Sequence, residues 1–377
     1  MTDFSRISLS YRVAGNAPGA NIRGGNTPVA DTPAASSSIV NASVAVPVRF
    51  MTFPGGEQHV WISGDVAGEG RTYSIDARIY SSAGVMNLLL VNDALRRIVG
   101  PRAVVELVLP YLPYARQDRV ATAGESLSIN VFCALINAMK LDRVVICDPH
   151  SLVGPALLDN VQVVDVGNYV RQVIEQTDGQ VGGQVGEQVG GRAGEHAGEL
   201  MDAAGRIALV APDAGAHTRV EALGQAFGLP VVFCGKTRDS KTGRLSNPYV
   251  EGKVPDLPLL VVDDICDGGG TFAALAPVLR QHTDQSISLY VTHGLLTKGW
   301  APLKDFARIY TAFPRDEAAW NPVNEAEPVL SEAVRCEAAR REAARSEAAL
   351  DEPPCRLTAR IFVANPAQAA GANRPSF

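Results

Sequence analysis

Carboxylates and glycines are concentrated in one stretch of the chain, LLVVDDICDGGGT, at residues 259–271. Asp263 and Asp264 end a run of apolar residues, Asp267 follows shortly after, and three glycines then lead to Thr271. Glycines let backbone N–H groups approach an oxyanion, and a helix N-terminus favours negative charge. The carboxylates would repel a phosphate, but they are suited to ribose hydroxyls. The stretch therefore predicts one loop that holds both the sugar and the phosphate of a ligand.

A second polar cluster lies in YLPYARQDRV, residues 111–120, directly after the apolar stretch AVVELVLP. Arg116, Gln117, Asp118 and Arg119 follow one another with no apolar residue between them. A solvated strand end, where most charge clusters belong, is one interpretation. The other is a ligand site, because ligands of parallel α/β sheets bind at the carboxyl ends of the strands. The position of the cluster alone leaves both open.

Three shorter motifs also follow apolar, strand-like stretches: CDPHS (147–151), APDAG (211–215) and GKTR (235–238). Asp213 can supply an oxygen to a magnesium ion directly or through water. Lys236 and Arg238 can close over charge that develops on a transferred phosphoryl group, although a solvated loop fits the same residues. His150 can bind a metal or a phosphate, and a capping or core histidine is the alternative. His293 and Lys298, in THGLLTKG, follow another strand and could also line the site, with no catalytic role assigned.

The elements that would position these motifs alternate between strands and helices, and the alternation occurs twice along the chain. Such a pattern predicts an α/β fold with two similar domains, each a parallel sheet flanked by helices, over residues 45–165 and 166–315. The first strands lie on both sides of a Pro-Gly-Gly turn in 46–62. Further strands are predicted within 71–80, 103–110, 142–150, 206–215, 230–234, 257–266 and 286–295, and helices within 84–100, 126–140, 167–176, 217–228 and 270–281.

Three segments depart from this pattern. Residues 1–44, rich in Gly, Ala, Ser, Pro and Asn from residue 14 onwards, are expected to be disordered or loosely ordered. Residues 179–198 form a four-residue Gly repeat and predict a flexible insertion in the second domain. The C-terminal extension, 316–377, contains a Glu-Ala-Ala-Arg repeat at 335–350, which favours a solvated spacer helix, and RLTARIFVAN, which predicts a last strand that returns to the sheet.

Composition excludes several classes of protein. The 377 residues carry a net charge of −6, so no basic stripe argues for nucleic acid. The six cysteines have no close pair, which excludes a zinc ribbon and gives no disulfide framework; Cys147, Cys234 and Cys266 are expected to be buried. No apolar stretch of 18 residues and no signal peptide is evident, so we expect a cytoplasmic protein without membrane contact.

The loop at 259–271 resembles the phosphoribosyl diphosphate signature of type I phosphoribosyltransferases and ribose-phosphate diphosphokinases. The stretch at 111–119 is similar to a segment of the diphosphokinases, which implies ATP contacts for Arg116, Gln117 and Asp118. FPGGE (53–57) resembles the adenine-contacting turn of that family, which implies that Phe53 and Glu57 contact ATP.

The resemblance also implies roles for the shorter motifs. His150 would lie at metal and ATP phosphates, Asp213 at Mg²⁺, and Lys236 and Arg238 at the start of a flexible catalytic loop. The residues implied for ribose and phosphate binding are Asp263, Asp264, Asp267, Gly268, Gly269, Gly270 and Thr271. The activity implied is Mg²⁺-dependent transfer of diphosphate from ATP to the anomeric hydroxyl of ribose 5-phosphate, with release of AMP. A homo-oligomer is implied because the adenine turn of the family reaches a neighbouring subunit.

Two departures from the family fall on substrate contacts. Gly55 replaces an Asp of the adenine turn, and Gly268 replaces a Thr that gives a hydroxyl to the 5-phosphate. ADP-ribose, whose 5-phosphate is substituted, would miss that hydroxyl less, as expected of phage-encoded relatives that are thought to act in NAD salvage. A phosphoribosyltransferase would also use the 259–271 loop, but it would leave residues 111–119 without a role. A non-catalytic regulatory homologue would keep the fold, but it should have lost Lys236 and Arg238.

Overall fold

The computed structural model describes residues 5–13, 43–181, 207–238, 245–317, 320, 361–364 and 366. The chain divides into two compact units, Met1–Val164 and Asp165–Phe377. The boundary lies one residue from the position expected from the sequence. The α/β class is confirmed, and each unit contains a mainly parallel sheet.

The N-terminal unit has, among its described residues, a six-stranded sheet of order β2-β1-β5-β6-β7-β8 and a separate hairpin, β3-β4. Strands β5 to β8 are parallel, whereas β1 is antiparallel to both β2 and β5. The strands are β1 Arg6–Val13, β2 Val44–Val46, β3 Val48–Thr52, β4 Gln58–Ile62, β5 Arg71–Arg78, β6 Val104–Val108, β7 Arg143–Cys147 and β8 Val161–Val164, and the helices are α1 Ser82–Val99, α2 Ser128–Ala138 and α3 Val153–Leu157.

The first strand corrects the expectation for residues 1–44. Residues 6–13 form β1, which pairs with β5 over its whole length, from Arg6 opposite Arg78 to Val13 opposite Arg71. The alternation in RISLSYRV buries Leu9 almost completely, at 2% exposure, and this is the period-2 pattern of a half-buried strand. The prediction of a loosely ordered segment is therefore wrong for 6–13. Residues 14–42 lie outside the described residues.

The C-terminal unit has a seven-stranded sheet, among its described residues, of order β11-β10-β9-β12-β13-β14-β15. The five inner strands are parallel, and the edge strands β11 and β15 are antiparallel to their neighbours. The strands are β9 Ala208–Ala211, β10 Val231–Arg238, β11 Leu245–Glu251, β12 Leu259–Cys266, β13 Ile287–Gly294, β14 Ile309–Pro314 and β15 Phe362–Ala364; the helices are α4 Gly167–Val181, α5 His217–Phe227, α6 Gly270–Arg280 and a short 3-10 helix, Ala301–Leu303.

Burial explains why the inner strands read as continuous apolar runs. Every residue of β9, β13 and β14 is buried, as is typical of parallel strands covered on both faces. In the N-terminal unit the core joins Ile75 and Leu107 of the sheet to Leu88 of α1 and Phe132 of α2. Helix α1 begins after Ser81, whose hydroxyl accepts the N–H of Gly84 at 2.9 Å, and it ends before Gly100.

The strand order of the C-terminal sheet creates a switch point. Strand β9 lies between β10 and β12, so the chain leaves β9 towards one side and later returns on the other. Ligands of open α/β sheets bind outside the carboxyl ends of the strands at such a point. Asp213 follows β9, Lys236 lies near the end of β10, and Asp263 lies near the end of β12. The topology therefore gathers three of the predicted site residues at one edge.

Some predictions fall on residues beyond this description. The Gly repeat at 179–198 begins within α4, which extends to Val181, and the rest of it lies outside the described residues. The Glu-Ala-Ala-Arg segment at 335–350 also lies outside them. The predicted last strand is confirmed at Phe362–Ala364, where it pairs with β14. No helix in the described part of the chain is both long and apolar enough to cross a membrane.

We expect Glu106→Gln to destabilise the protein by about 2–3 kcal/mol, because it would leave two partly buried arginines without their counter-charge. Glu106 of β6 is 5% exposed and accepts from Arg12 of β1 at 3.1 Å and from Arg143 of β7 at 2.6 Å. The measurement is urea unfolding. The control is Arg97→Ala, which removes an exposed pair with Asp93 and should cost no more than about 0.5 kcal/mol. Equal effects of the two changes would show that the arrangement around Glu106 does not hold β1 in the sheet.

Candidate active site

Asp263 and Asp264 lie in the second half of β12, which continues to Cys266, and they share one cation. The guanidinium of Arg219, in the first turn of α5, lies 3.5 Å from Oδ1 of Asp263 and 3.7 Å from Oδ1 of Asp264. The two carboxylate side chains are only 14% and 6% exposed. Oδ1 of Asp263 also accepts the backbone N–H of Asp264 at 2.9 Å. The adjacent acids are thus held in fixed positions before any ligand binds.

This arrangement destabilises the ionised form of Asp263. Burial raises its pKa well above the usual value of 3.8, the negative charge of Asp264 raises it further, and Arg219 opposes the rise only in part. A ligand that donates hydrogen bonds to both carboxylates would stabilise the ionised pair. Ribose hydroxyls are such donors.

Lys236 links two of the predicted loops. Its ammonium group donates to Oδ2 of Asp213 at 2.9 Å and to Oγ1 of Thr271 at 3.0 Å, and its side chain is 15% exposed. The structure differs here from the expectation of a flexible loop, because Lys236 lies within β10 and pairs with Pro248 of β11. Arg238 ends the same strand opposite Leu245, and its side chain lies outside the described residues.

The three glycines after Asp267 differ in what the fold requires of them. Gly269 has φ 72°, and a Cβ there would meet Pro302 and Leu303 at 3.1 and 3.2 Å, so the fold itself needs this glycine. A Cβ on Gly270 would meet nothing within 4 Å, and the residue is exposed. Helix α6 begins at Gly270, and the first N–H groups of a helix have no partner within it. The N–H groups at Gly270 and Thr271 therefore lie at an open helix start, where an anion could bind.

Asp267 is oriented by the loop after β13. Its Oδ1 accepts the hydroxyl of Thr297 at 2.7 Å, and its carbonyl accepts the N–H of Thr297 at 2.9 Å. His293, at the end of β13, is 3% exposed and stacks on Phe313 at 5.8 Å. This histidine is thus part of the packed interior, whereas Asp267 remains partly exposed at the edge of the site.

In the N-terminal unit the polar cluster also lies at the carboxyl edge of its sheet. Arg116, Gln117 and Asp118 follow β6, and His150 follows the neighbouring parallel strand β7. The side chains of Arg116, Gln117 and His150 are exposed. Oε1 of Gln117 accepts the hydroxyl of Ser128 at the start of α2, so one atom of this cluster is fixed by the fold. These four predicted residues thus follow the carboxyl ends of two neighbouring parallel strands, where ligands of such sheets bind.

Phe53 and Glu57 lie elsewhere in the same unit, in the turn of the β3–β4 hairpin. The turn is closed by bonds from the N–H of Phe53 to the carbonyl of Glu57 and from the N–H of Gly56 to the carbonyl of Phe53, both 2.8 Å. Both side chains are exposed, and the ring of Phe53 lies 5.7 Å from that of His59. The hairpin belongs to a separate sheet, so the fold does not by itself place this turn with Arg116.

The residues predicted to bind a metal are Asp213 and His150. Within the described parts of the chain, no group of three or more His, Cys, Asp or Glu side chains could by itself hold a metal ion. Mg²⁺ in nucleotide enzymes is commonly held by one or two carboxylates, with phosphates and water completing the shell. The carboxylate of Asp213 is 34% exposed and fits that role in the C-terminal unit. His150, in the N-terminal unit, is exposed.

Thiol chemistry is excluded at this edge. Burial raises the pKa of Cys234 and of Cys266 to about 12, so both remain protonated at neutral pH. Cys147 is fully buried as well, and the prediction of three buried cysteines is confirmed.

The sequence interpretation missed Arg219 and Thr297 and gave Lys298 no role. Arg219 lies in the first turn of the helix after the APDAG loop, and that turn lies at the carboxyl edge of the sheet. The same rule that selected Asp213 could therefore have selected Arg219. Thr297 and Lys298 lie beyond the end of β13, where only pairing with the 259–271 loop shows their place.

Comparison with known proteins identifies the same two parts. Residues 37–139 match the family described as the N-terminal domain of ribose phosphate pyrophosphokinase, and residues 185–322 match the phosphoribosyl transferase domain. A ribose-phosphate pyrophosphokinase of Hyphomonas neptunium is 30% identical over 65% of this chain and 71% of its own length. One from Cereibacter sphaeroides is 30% identical over 56% of each chain, so this match spans little more than half of that relative.

A solved structure of phosphoribosylpyrophosphate synthetase from Mycobacterium smegmatis covers 66% of this chain and 73% of its own, with 22% identity and a TM-score of 0.49. The sequence matches carry the assignment, since they include both domains and a relative matched over more than two thirds of its length. The chain belongs to the ribose-phosphate pyrophosphokinase family of enzymes.

Proposed function

We propose that this chain transfers the diphosphate group of ATP to the anomeric hydroxyl of ribose 5-phosphate, in a reaction that depends on Mg²⁺. The anomeric oxygen forms a bond to the β-phosphorus of ATP, the bond between that phosphorus and the α–β bridging oxygen breaks, and AMP leaves. The hydroxyl proton is lost to solvent. The products are phosphoribosyl diphosphate and AMP.

One observation carries the proposal: Lys236 bridges Asp213 and Thr271 at the switch point where Asp263 and Asp264 also lie. The site thus combines a carboxylate suited to a metal, a cation suited to phosphate and two carboxylates suited to ribose hydroxyls. A dehydrogenase or a thiol enzyme has no use for this set. A reaction of a ribose phosphate with a metal-bound polyphosphate uses all of it.

The residues of this chain act mainly by positioning and by neutralising charge, which dominate catalysis of phosphoryl transfer. Asp263 and Asp264 accept from the ribose hydroxyls, and the N–H groups at Gly270 and Thr271 receive the 5-phosphate. Lys236 compensates negative charge on the transferred group. In the N-terminal unit Arg116, Gln117 and Asp118 bind ATP, and Phe53 and Glu57 contact its base.

In the C-terminal unit Asp213 is the residue proposed to hold Mg²⁺, and in the N-terminal unit His150 is proposed to bind a metal or the phosphates of ATP. When bound, the ion neutralises phosphate charge and polarises the transferred phosphoryl group. Asp213 already faces the ammonium group of Lys236 at 2.9 Å. A metal-bound polyphosphate that arrives there would meet a carboxylate for its metal and a cation for its oxygens.

ADP-ribose is the second candidate acceptor, and the observation in its favour is that Gly268 offers no hydroxyl to a 5-phosphate. The same carboxylates would hold its ribose hydroxyls. A phosphoribosyltransferase is less well supported, because it would leave the ATP residues of the N-terminal unit unused. A regulatory homologue is disfavoured because Lys236 is present and held within hydrogen-bonding distance of Thr271.

We expect the purified protein to release AMP from ATP when Mg²⁺ and ribose 5-phosphate are present, at a rate of about 1 per second or more, as is usual for enzymes. The measurement is chromatographic separation of AMP and ADP, with ribose 5-phosphate and ADP-ribose tested in parallel. EDTA should abolish the release. Faster turnover with ADP-ribose than with ribose 5-phosphate would identify ADP-ribose as the acceptor. Phosphoribosyl diphosphate consumption with a free base would indicate a phosphoribosyltransferase, and no turnover of any of these would indicate a regulatory protein.

A further inference from the structure

Gly268 leaves a space that Lys298 fills. A Cβ on Gly268 would lie 3.3 Å from both Cδ and Cε of Lys298 and 3.6 Å from its Cγ, which is closer than most side chains approach one another. The aliphatic part of Lys298 therefore lies across the face of the loop between Asp267 and the start of α6. The backbone of Gly268 has an ordinary φ, so conformation alone does not require glycine there.

The segment that carries Lys298 is fastened to the same loop. The N–H groups of Leu295 and Leu296 donate to the carbonyl of Cys266 at 2.9 and 3.1 Å. Thr297 donates its N–H and its hydroxyl to Asp267, as described above, and Gly299 closes the turn on Leu296 at 2.9 Å with φ 63°. Lys298 thus extends from a backbone fixed on both sides. These hydrogen bonds fix the backbone from which the side chain of Lys298 crosses Gly268.

The charge of Lys298 is available to a ligand. The residue is exposed, and among the residues that the structure describes no carboxylate forms an ion pair with its ammonium group. That group lies one bond beyond Cε, which already contacts the position of a Gly268 side chain. Lysine carries three donors on a flexible stem and suits a phosphate that arrives from solvent.

We propose that Lys298 is a ligand-binding residue of the ribose-phosphate loop, that it contacts the phosphate attached to the sugar of the acceptor, and that Gly268 is required because it lets Lys298 cross the loop. This inference rests on the proposed function of the loop. The ammonium group of Lys298 would then supply a positive charge to the acceptor's phosphate beside Gly268, which has no side chain of its own. The competing explanation is an exposed lysine that packs on the loop and binds nothing.

The test combines Lys298→Met, which keeps the aliphatic chain and removes the charge, with Gly268→Ala, which crowds the chain, and with the double variant. A hydrogen bond to a charged group changes affinity by about 10- to 150-fold. We expect Lys298→Met to raise KM for the accepted ribose phosphate at least about tenfold, while kcat and KM for ATP change less than about twofold. Lys298→Arg, which keeps the positive charge, should have a KM for the ribose phosphate close to that of the wild type.

The two changes should not be additive if Gly268 acts through Lys298. We expect Gly268→Ala to weaken acceptor binding in the wild-type background and to have little further effect in the Lys298→Met background. Lys304→Met, at an exposed lysine of the same unit, is the matched control and should change nothing. Thermal unfolding of each variant verifies that it is folded.

Direct binding keeps this test separate from the reaction. Calorimetric titration with ribose 5-phosphate and with ADP-ribose, without ATP, measures the acceptor alone. If the wild type binds a ribose phosphate but releases no AMP, the proposed reaction fails and the role of Lys298 is still decided by the titrations. Wild-type affinity in Lys298→Met, or additive effects of the two changes, would overturn the inference. A wild type that binds no ribose phosphate and releases no AMP would overturn both proposals.

Discussion

Lys236→Ala is expected to lower kcat by at least about 100-fold, which corresponds to about 2.7 kcal/mol of activation free energy. The ammonium group of Lys236 is shared between Asp213, the proposed metal ligand, and Thr271, at the start of α6. Its loss removes a positive charge where negative charge develops on the transferred group. It also leaves the carboxylate of Asp213 without its counter-charge. Both consequences act on the reacting phosphates, so the affinity for ATP should change less than kcat.

The measurement is steady-state AMP release with ATP and the better acceptor, together with ATP binding. Lys253→Ala, at an exposed lysine of the same unit, is the control and should retain wild-type kinetics. Thr271→Val separates two roles of Lys236, because it removes one of the two acceptors and leaves the pair with Asp213 intact. Turnover that survives in Lys236→Ala would show that this lysine only ties β10 to its neighbours, and the interpretation of the protein as a regulatory homologue would gain support.

Lys236 illustrates which features of the site could be predicted from the sequence and which could not. The type of residue and its place after an apolar stretch were sufficient to propose it as a site residue. That it lies in an ordered strand, with its ammonium group fixed by two partners, depends on pairing with β11 and on the loops of β9 and β12. Such contacts join residues far apart in the chain. A pattern within a short stretch of sequence does not predict contacts between distant residues.

The same limit explains the missed residues. Asp263, Asp264 and the glycines lie in one continuous stretch whose apolar run and turn signals are local, so the strand, the turn and the helix start could be predicted from it. Arg219 acts on that loop from a helix more than 40 residues away, as the separation of the paired residues shows. Strand β1 was missed for a related reason, since RISLSYRV is a short alternating stretch whose partner, β5, follows a long intervening segment.

Asp263→Asn is expected to lower kcat by at least about 100-fold and to make the folded protein more stable at neutral pH. Asp263 is buried beside Asp264, and Arg219 offsets only part of their repulsion, so the pKa of Asp263 is raised well above 3.8. The folded state therefore binds this proton more tightly than the unfolded state. Stability falls as pH rises from the ordinary value through the raised one, and the whole loss is present above the raised pKa.

An asparagine at this position carries no titrating group. Its Oδ1 can still accept the N–H of Asp264, and Arg219 keeps its approach to Asp264 at 3.7 Å. The variant should then be more stable than the wild type at pH 7 and 8. The difference should shrink as pH falls through the raised pKa and should be smallest below 3.8, where both states of the wild type are protonated. Activity is lost because a neutral amide accepts more weakly from a ribose hydroxyl and donates where the sugar also donates.

Thermal unfolding from pH 3 to 8 measures the first effect, and AMP release measures the second. Asp305→Asn, at an exposed carboxylate of the same unit, should alter neither. A stability gain of the same size at every pH would mean that packing, and not ionisation, explains it. Retained turnover would exclude Asp263 as a ribose ligand. Gain of stability together with loss of activity is the expected result, because the two adjacent carboxylates that destabilise the fold by repulsion are the groups that accept from two hydroxyl groups.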